Sequence, residues 1–319
     1  MKNNYFNLVM GSIQTMEAFS KTVKAVMQQY FGTGYAVEVH EVVKNNDLCL
    51  TGLVIRNESS NLAPAIYLES YYEMHQNGES LENVCAEIIR VYEANRVGTD
   101  FDITSITDFN KVKDRICYKL INAKYNEQML ADVAYIKFHD LAIVFYILVS
   151  SDADGMATTN VKTALLERWN ISKAELFNIA VENTQKMFRG RVCSIEESMM
   201  ELFVSQPDEE AKYVFYDLFA DAEAMIPMYV CSNSEKFYGA GVMLYNGLLK
   251  AFADKIDSNF YILPSSVHEV LFVPVTVGMD IEEMKYIVRA INAVEVAEDE
   301  VLSDNIYYYN RYLDHVGLM

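Results

Sequence analysis

Three observations in the sequence predict an α+β fold with mixed or antiparallel sheets and packed helices. Met16, Phe19, Val23, Val26, Met27 and Tyr30 recur at helical spacing near the start of the chain. Two runs rich in β-branched residues, 35–43 and 48–55, then flank Asn45-Asn46-Asp47, whose side chains tolerate turn dihedrals, so they read as an antiparallel hairpin. Further on, 133–138 and the wholly apolar 141–149 flank His139-Asp140 as a second hairpin, its second strand apolar enough to lie buried on both faces. The last hundred residues alternate strands with helices, and with these hairpins the pattern reads as α+β.

The remaining elements follow in order. Gly32 and Gly34 offer the first helix a stop, and a short strand is expected at 65–68. Ser80 can cap a helix whose face carries Leu81, Val84, Cys85, Ile88 and Tyr92. A helix from Asp108 is expected to present Phe109, Val112, Ile116 and Leu120 on one side and a basic stripe of Lys111, Arg115 and Lys119 on the other. Ser172-Lys173-Ala174-Glu175 and Ser194-Ile195-Glu196-Glu197 have the form of capping boxes. Strands are expected at 228–232, 260–263, 267–273 and 305–309, a strand or turn at 239–244, and helices up to Ile256 and over 280–291. No Pro- or Gly-rich linker appears, and the pattern suggests a small helix–sheet–helix module at 1–105 leading into a larger α+β body at 106–319.

The chain of 319 residues carries 26 Lys+Arg against 45 Asp+Glu, a net charge of -19, so its mean field repels phosphate backbones and duplex nucleic acid is not an expected partner. Its five cysteines, Cys49, Cys85, Cys117, Cys193 and Cys231, are widely spaced with no C-x-x-C pair, which fits free thiols in a reducing cytoplasm. The first residues lack the apolar core of a signal peptide, and 141–149 is too short to span a bilayer, so a cytoplasmic chain without membrane association is expected.

Each candidate for chemistry is incomplete in sequence. Ser150, Asp152, Asp154 and Gly155 imitate the start of a calcium loop, but Val161 stands where the bidentate Glu is required. Gly239-Ala240-Gly241 lacks the third glycine of a dinucleotide fingerprint, Leu244 standing there, and is expected to serve a tight turn. The five histidines form no paired metal motif, and neither a metal nor a cofactor is expected. The most suggestive run is Pro264-Ser265-Ser266-Val267-His268-Glu269. On an extended chain Ser266 and His268 would share one face and Ser265 and Glu269 the other, so a Ser–His–acid triad would have to borrow its acid.

Four segments can be read together: Lys44-Asn45-Asn46 with Leu50-Thr51-Gly52-Leu53, the run from Asn61 through Pro64 and Tyr67 to Glu69, the run from Leu263 to Val270, and the run from Leu302 to Tyr309. In this order they resemble an uncharacterised bacterial family known only as a domain of unknown function, over roughly Met16 to Tyr312. The second half, from about Asp132, also resembles a broader uncharacterised family. Neither resemblance implies a reaction, cofactor or catalytic residue. Function is therefore expected to be that of a non-catalytic binding or accessory protein with a protein partner, using Asn61, Pro64, Tyr67, Lys111, Arg115 or Lys119. One alternative is a serine hydrolase using Ser266 or Ser265 with His268 and Glu269 nearby, and another is a small-ligand sensor.

Overall fold

The computed structural model describes residues 13–57, 65–95, 104–152, 155–205, 227–276 and 280–319. These fall into two compact units, one holding the residues up to Lys44 and Leu48–Ser105, the other Asn45–Asp47 and Ile106–Met319. No helix among the described residues is long and apolar enough to cross a membrane. The α+β class expected from the sequence is the class observed.

In the first unit, helix α1 (Met16–Phe31) starts at Thr15, whose hydroxyl accepts from Ala18 N–H, and ends at Gly32 with φ +76°. Strands β1 (Tyr35–Val43), β2 (Cys49–Asn57) and β3 (Ala65–Tyr67) form an antiparallel sheet in that order. Gln28 joins helix to sheet: its amide donates to the carbonyls of Gly32 and Tyr35, and its oxygen accepts from Val37 N–H. Helix α2 (Glu69–Gln76) was not expected, whereas α3 (Leu81–Ala94) begins at Ser80 and buries Val84, Cys85, Ile88 and Tyr92 as its spacing predicts. These residues close over Phe19, Val23, Met27, Leu53 and Ile55 in one core.

In the second unit, α4 (Thr104–Thr107) and α5 (Phe109–Val112) are single turns, and the chain passes through a 3-10 turn at Lys113–Arg115 into strand β4 (Ile116–Asn122). The long helix expected from Asp108, with its basic stripe, is therefore corrected. Ile116 and Leu120 are four apart, a spacing that a helix face and a strand face both satisfy, and the intervening Tyr118 settles the period as two. After α6 (Glu127–Leu130), strand β5 (Tyr135–Phe138) pairs with β6 (Leu141–Asp152), which also pairs with β4 and with β7 (Gly155–Asn160). From Leu141 to Leu148 every β6 residue is buried, so the strand read as the sheet centre is the sheet centre.

Helix α7 (Thr163–Trp169) precedes α8 (Lys173–Met187), whose start carries the full Ser172–Glu175 capping box. Strand β8 (Gly190–Ser194) and helix α9 (Ile195–Ser205) follow, Ser194 Oγ accepting from Glu197 N–H. Strands β9 (Tyr229–Asn233), β10 (Phe260–Pro264), β11 (Val270–Pro274), β12 (Tyr307–Asn310) and β13 (His315–Leu318) build an antiparallel sheet in the order β13-β12-β10-β11-β9-β8. Between them lie a 3-10 helix at Gly239–Leu244, α10 (Leu248–Ile256) and α11 (Ile281–Val294). One large core joins both sheets of this unit, with Phe145, Tyr118, Phe260, Phe272 and Tyr309 among its members.

Candidate functional site

Pro264 ends β10, and Ser265 to Glu269 form a loop to β11 instead of an extended strand, Ser266 N–H closing on the Glu269 carbonyl at 3.1 Å. Alternation of faces therefore does not apply to it. Ser266 Oγ accepts from the backbone N–H of its neighbour His268 at 3.0 Å, a local turn bond natural to serine. Among the described residues no hydrogen bond joins the hydroxyl of Ser265 or Ser266 to the imidazole.

The imidazole of His268 instead stacks on the ring of Tyr238, with centroids 5.9 Å apart and planes 6° from parallel. Its Nδ1 lies 3.3 Å from Tyr238 N–H and 3.1 Å from the Lys236 carbonyl, while Nε2 lies 3.5 Å from a Glu300 carboxylate oxygen. The first contact needs a lone pair on Nδ1 and the second a proton, so the Nε2–H tautomer makes the first and the Nδ1–H tautomer the second. Glu300, from the far end of the sequence, supplies the acid that the run itself could not.

Behind Tyr238 lies Lys119. It is 6% exposed, its Nζ stands 4.4 Å from the Tyr238 ring centroid and 3.4 Å from the phenol oxygen, and no carboxylate reaches it among the described residues. On the same face of β4, Cys117 packs with Tyr146, and burial pushes the Cys117 thiol up to about 11 and the Tyr146 phenol well above its ordinary range. The rest of the expected basic stripe goes elsewhere: Arg115 donates to the carbonyls of Leu148 and Val149, and Lys111 is exposed on α5.

Gly239 is what lets these parts meet. A Cβ there would stand 2.1 Å from Ser232 Oγ and 2.3 Å from the His268 carbonyl oxygen, which Ser232 itself donates to at 2.7 Å. The glycine is thus required for close approach of two backbones, not for the turn dihedral that the sequence suggested.

A second polar cluster gathers on Asp140. Ser303 Oγ donates to its Oδ2 at 2.6 Å, Asn305 Nδ2 to the same oxygen at 3.0 Å, and the Tyr307 hydroxyl to Oδ1 at 2.7 Å. Burial, then the carboxylate, push the Tyr307 phenol well above its usual range. Asn122 and Asn292 donate to the carbonyls of Leu302 and Ser303, and Asn45 and Asn46 donate to those of Asp299, Glu298 and Val301. Val267 N–H donates to the Glu300 carbonyl. Three of the four distinctive segments therefore converge on residues 298–305. Of the fourth, Asn61 to Pro64 lie outside the described residues, and Tyr67 sits in β3 with Lys44 Nζ 4.3 Å from its ring centroid.

Sequence reasoning singled out His268 but passed over Tyr238, Lys236, Glu300 and Asp140. The only signal for Tyr238 was its place before the glycines, and Asp140 was read as a turn residue. The described residues contain no cluster of three or more His, Cys, Asp or Glu able to hold a metal ion. The chain belongs to a family of unknown function, DUF5688, whose model matches residues 16–311. No curated protein and no solved structure matches it.

Proposed function

We propose that this DUF5688 member is a non-catalytic binding protein whose partner is another protein, docking on α11. The observation that carries this reading is the outer face of that helix. Tyr286, Ile287, Ile291 and Val294 are 71%, 46%, 45% and 78% exposed, while Val288 and Asn292 face inward. An apolar stripe at this spacing on a solvent face marks an interaction surface. Charge specifies the occupant: around the stripe Asp280, Glu282, Glu283 and Glu295 outnumber Lys285, which pairs with Glu282, and the exposed Arg289, in a chain of net charge -19. The partner is therefore an amphipathic helix with an apolar face and basic flanks, the helix-in-groove mode with electrostatic complementarity.

Two features support binding over hydrolysis. Ser266 is bonded to backbone, and Asn45, Asn46, Ser303, Asn305 and Tyr307 of the distinctive segments donate to main-chain carbonyls or to Asp140. The test places a photo-crosslinking residue at Ile287 of the full chain, with Glu182 on α8 as the control position. A basic protein captured at 287, not at 182, and lost in Ile291→Asp and Val294→Asp supports the reading. Capture that ignores these substitutions, or none, overturns it, as does labelling of Ser265 or Ser266 by a fluorophosphonate that His268→Ala abolishes.

A further inference from the structure

We infer that the outer edge of strand β1 is a docking surface for a second copy of this chain, whose own β1 pairs with it antiparallel about His40. The strand, Tyr35–Val43, lies at the edge of its three-stranded sheet, with an unbroken register against β2 and none of the Pro, Lys or bulges that blunt native edges. Gln28 shows which backbone groups face outward. Its side chain holds the Tyr35 carbonyl and Val37 N–H, so the odd-numbered residues turn their N–H and C=O away from β2. Lys44 N–H, of the even-numbered set, bonds the Leu48 carbonyl across the hairpin. Other edges of the fold are closed: on β4 the Tyr118 N–H and Ile116 carbonyl are taken by Thr184 and Asn183 of α8, and on β13 the Val316 carbonyl meets His139 Nε2 at 3.0 Å. On β1 the capping stops at Val37 N–H. The Val37 carbonyl, both groups of Val39 and Glu41, and Val43 N–H have no hydrogen-bond partner among the described residues.

What selects a second copy is the fit of this edge to itself. A twofold axis lays the same patch against itself, and only the odd-numbered residues present open groups, so the registers that compete are centred on Val39, His40 or Glu41. Centred on Glu41, the pairing sets that residue directly against the partner's Glu41, and like charges so placed repel. Centred on Val39, it brings the partner's Glu41 to Val37, whose N–H Gln28 already holds. Centred on His40, Val39 and the partner's Glu41 exchange both main-chain bonds, the twofold repeats the exchange, and Val43 N–H reaches the partner's Val37 carbonyl. In this register Glu38 opposes the partner's Val42, so no two acids meet. The two His40 rings face each other, each with Nε2 3.0 Å from the Glu38 carboxylate of its own strand. The Glu38 and His40 side chains, 50% and 56% exposed, are open to be covered by the partner. Pairing joins two three-stranded sheets into one and closes both edges at once.

Cysteine reports the register, because the Cα atoms of a non-hydrogen-bonded antiparallel pair stand about 4.5 Å apart, within disulfide reach. The experiment uses the full chain in a Cys49→Ser background, which removes its exposed thiol. Mild oxidation should link His40→Cys into a covalent dimer and leave Glu38→Cys, which opposes the partner's Val42 instead of its own copy, unlinked. Sedimentation velocity of the chain without added cysteines should show a monomer–dimer equilibrium that Glu41→Pro weakens at least tenfold, since it deletes a main-chain donor in each copy. Glu41 N–H faces away from β2, so the proline spares the β1–β2 ladder, and a thermal melt checks that the variant is folded. If it is not, the crosslinking result decides. A chain that stays monomeric and gives no His40→Cys dimer overturns the proposal, as does equal linking at 38 and 40, or a dimer indifferent to a folded Glu41→Pro. A dimer lost in Ile291→Asp and untouched by the β1 variants overturns it too, placing the contact on α11, so the two surfaces fail separately.

Discussion

Gly239→Ala should be far more damaging than a glycine-to-alanine change at a turn. The new Cβ would lie 2.1 Å from Ser232 Oγ, 2.3 Å from the His268 carbonyl oxygen and 3.0 Å from the Asn233 nitrogen. The serine hydroxyl can rotate away, but the other two atoms are backbone. Restoring van der Waals distance requires the His268 carbonyl to retreat by roughly 1 Å, an overpacking change that costs about 1–3 kcal/mol. The retreat also breaks the Ser232 bond to that carbonyl and strains the Ala240 N–H bond to Val267, each worth about 1 kcal/mol. A total near 3–4 kcal/mol lowers the melting temperature by about 10 °C in a body of roughly 200 residues. Differential scanning calorimetry measures this, with Gly247→Ala as the comparison: its φ is +72° but nothing lies within 4 Å, so only about 1 kcal/mol of left-handed strain is at stake. Adding Ser232→Ala to Gly239→Ala should rescue only part of the loss, because the His268 carbonyl still blocks the methyl. A Gly239→Ala protein that melts with the wild type, or a double variant fully restored, would refute the close-approach argument.

Three other outcomes follow from the same geometry. Asp140→Ala leaves the Ser303, Asn305 and Tyr307 donors without their acceptor and should cost about 3–5 kcal/mol in urea denaturation, with Asp140→Asn losing less because one oxygen remains. Lys119→Met removes a buried ammonium whose described partner is only a phenol, so stability should stay within about 1 kcal/mol of wild type or rise, whereas a large loss would reveal an acidic partner. Alkylation of the native chain followed by peptide mass spectrometry should modify exposed Cys49 first, since burial holds the Cys85 thiol up at about 12 against an ordinary 9. Because the unfolded thiol loses its proton at lower pH than the folded one, stability should fall as pH rises from 9 towards 12, and Cys85→Ala should flatten that fall.

What the sequence made legible was local. The opening helix, the hairpin about Asn45 to Asp47, the Ser80 cap and the Ser172–Glu175 box each depend on residues a few positions apart, so their chemistry is written in spacing. The buried strand β6 was legible because an unbroken apolar run has no other place in a small sheet protein. Lys119 was misplaced on a helix because Ile116 and Leu120 satisfy two periods at once. The partners of the candidate site were not legible at all. His268 meets Tyr238 across 30 residues, and Asp140 meets Ser303 across 163, separations that no motif encodes.

The convergence at 298–305 explains why distinctive segments need not mark an active site. Asn45, Asn46, Asn122 and Asn292 direct amides onto the main-chain carbonyls of Glu298, Asp299, Val301, Leu302 and Ser303, a stretch that runs from a 3-10 turn towards strand β12 and is otherwise irregular. A stretch without a strand or helix partner must find donors for its carbonyls among side chains, since an unbonded buried carbonyl costs as much as a lost hydrogen bond. Asparagine suits this task because its amide carries two donors, and Asn46 uses both, on Glu298 and Val301. Ser232 does the same for the His268 carbonyl, while Ser303 Oγ donates to the Asp140 carboxylate and accepts from Asn305 N–H. Residue types that in isolation suggest nucleophiles and acids are here fixed by the needs of irregular backbone. Binding is then left to a surface those segments do not build, the outer stripe of α11, where apolar side chains meet water.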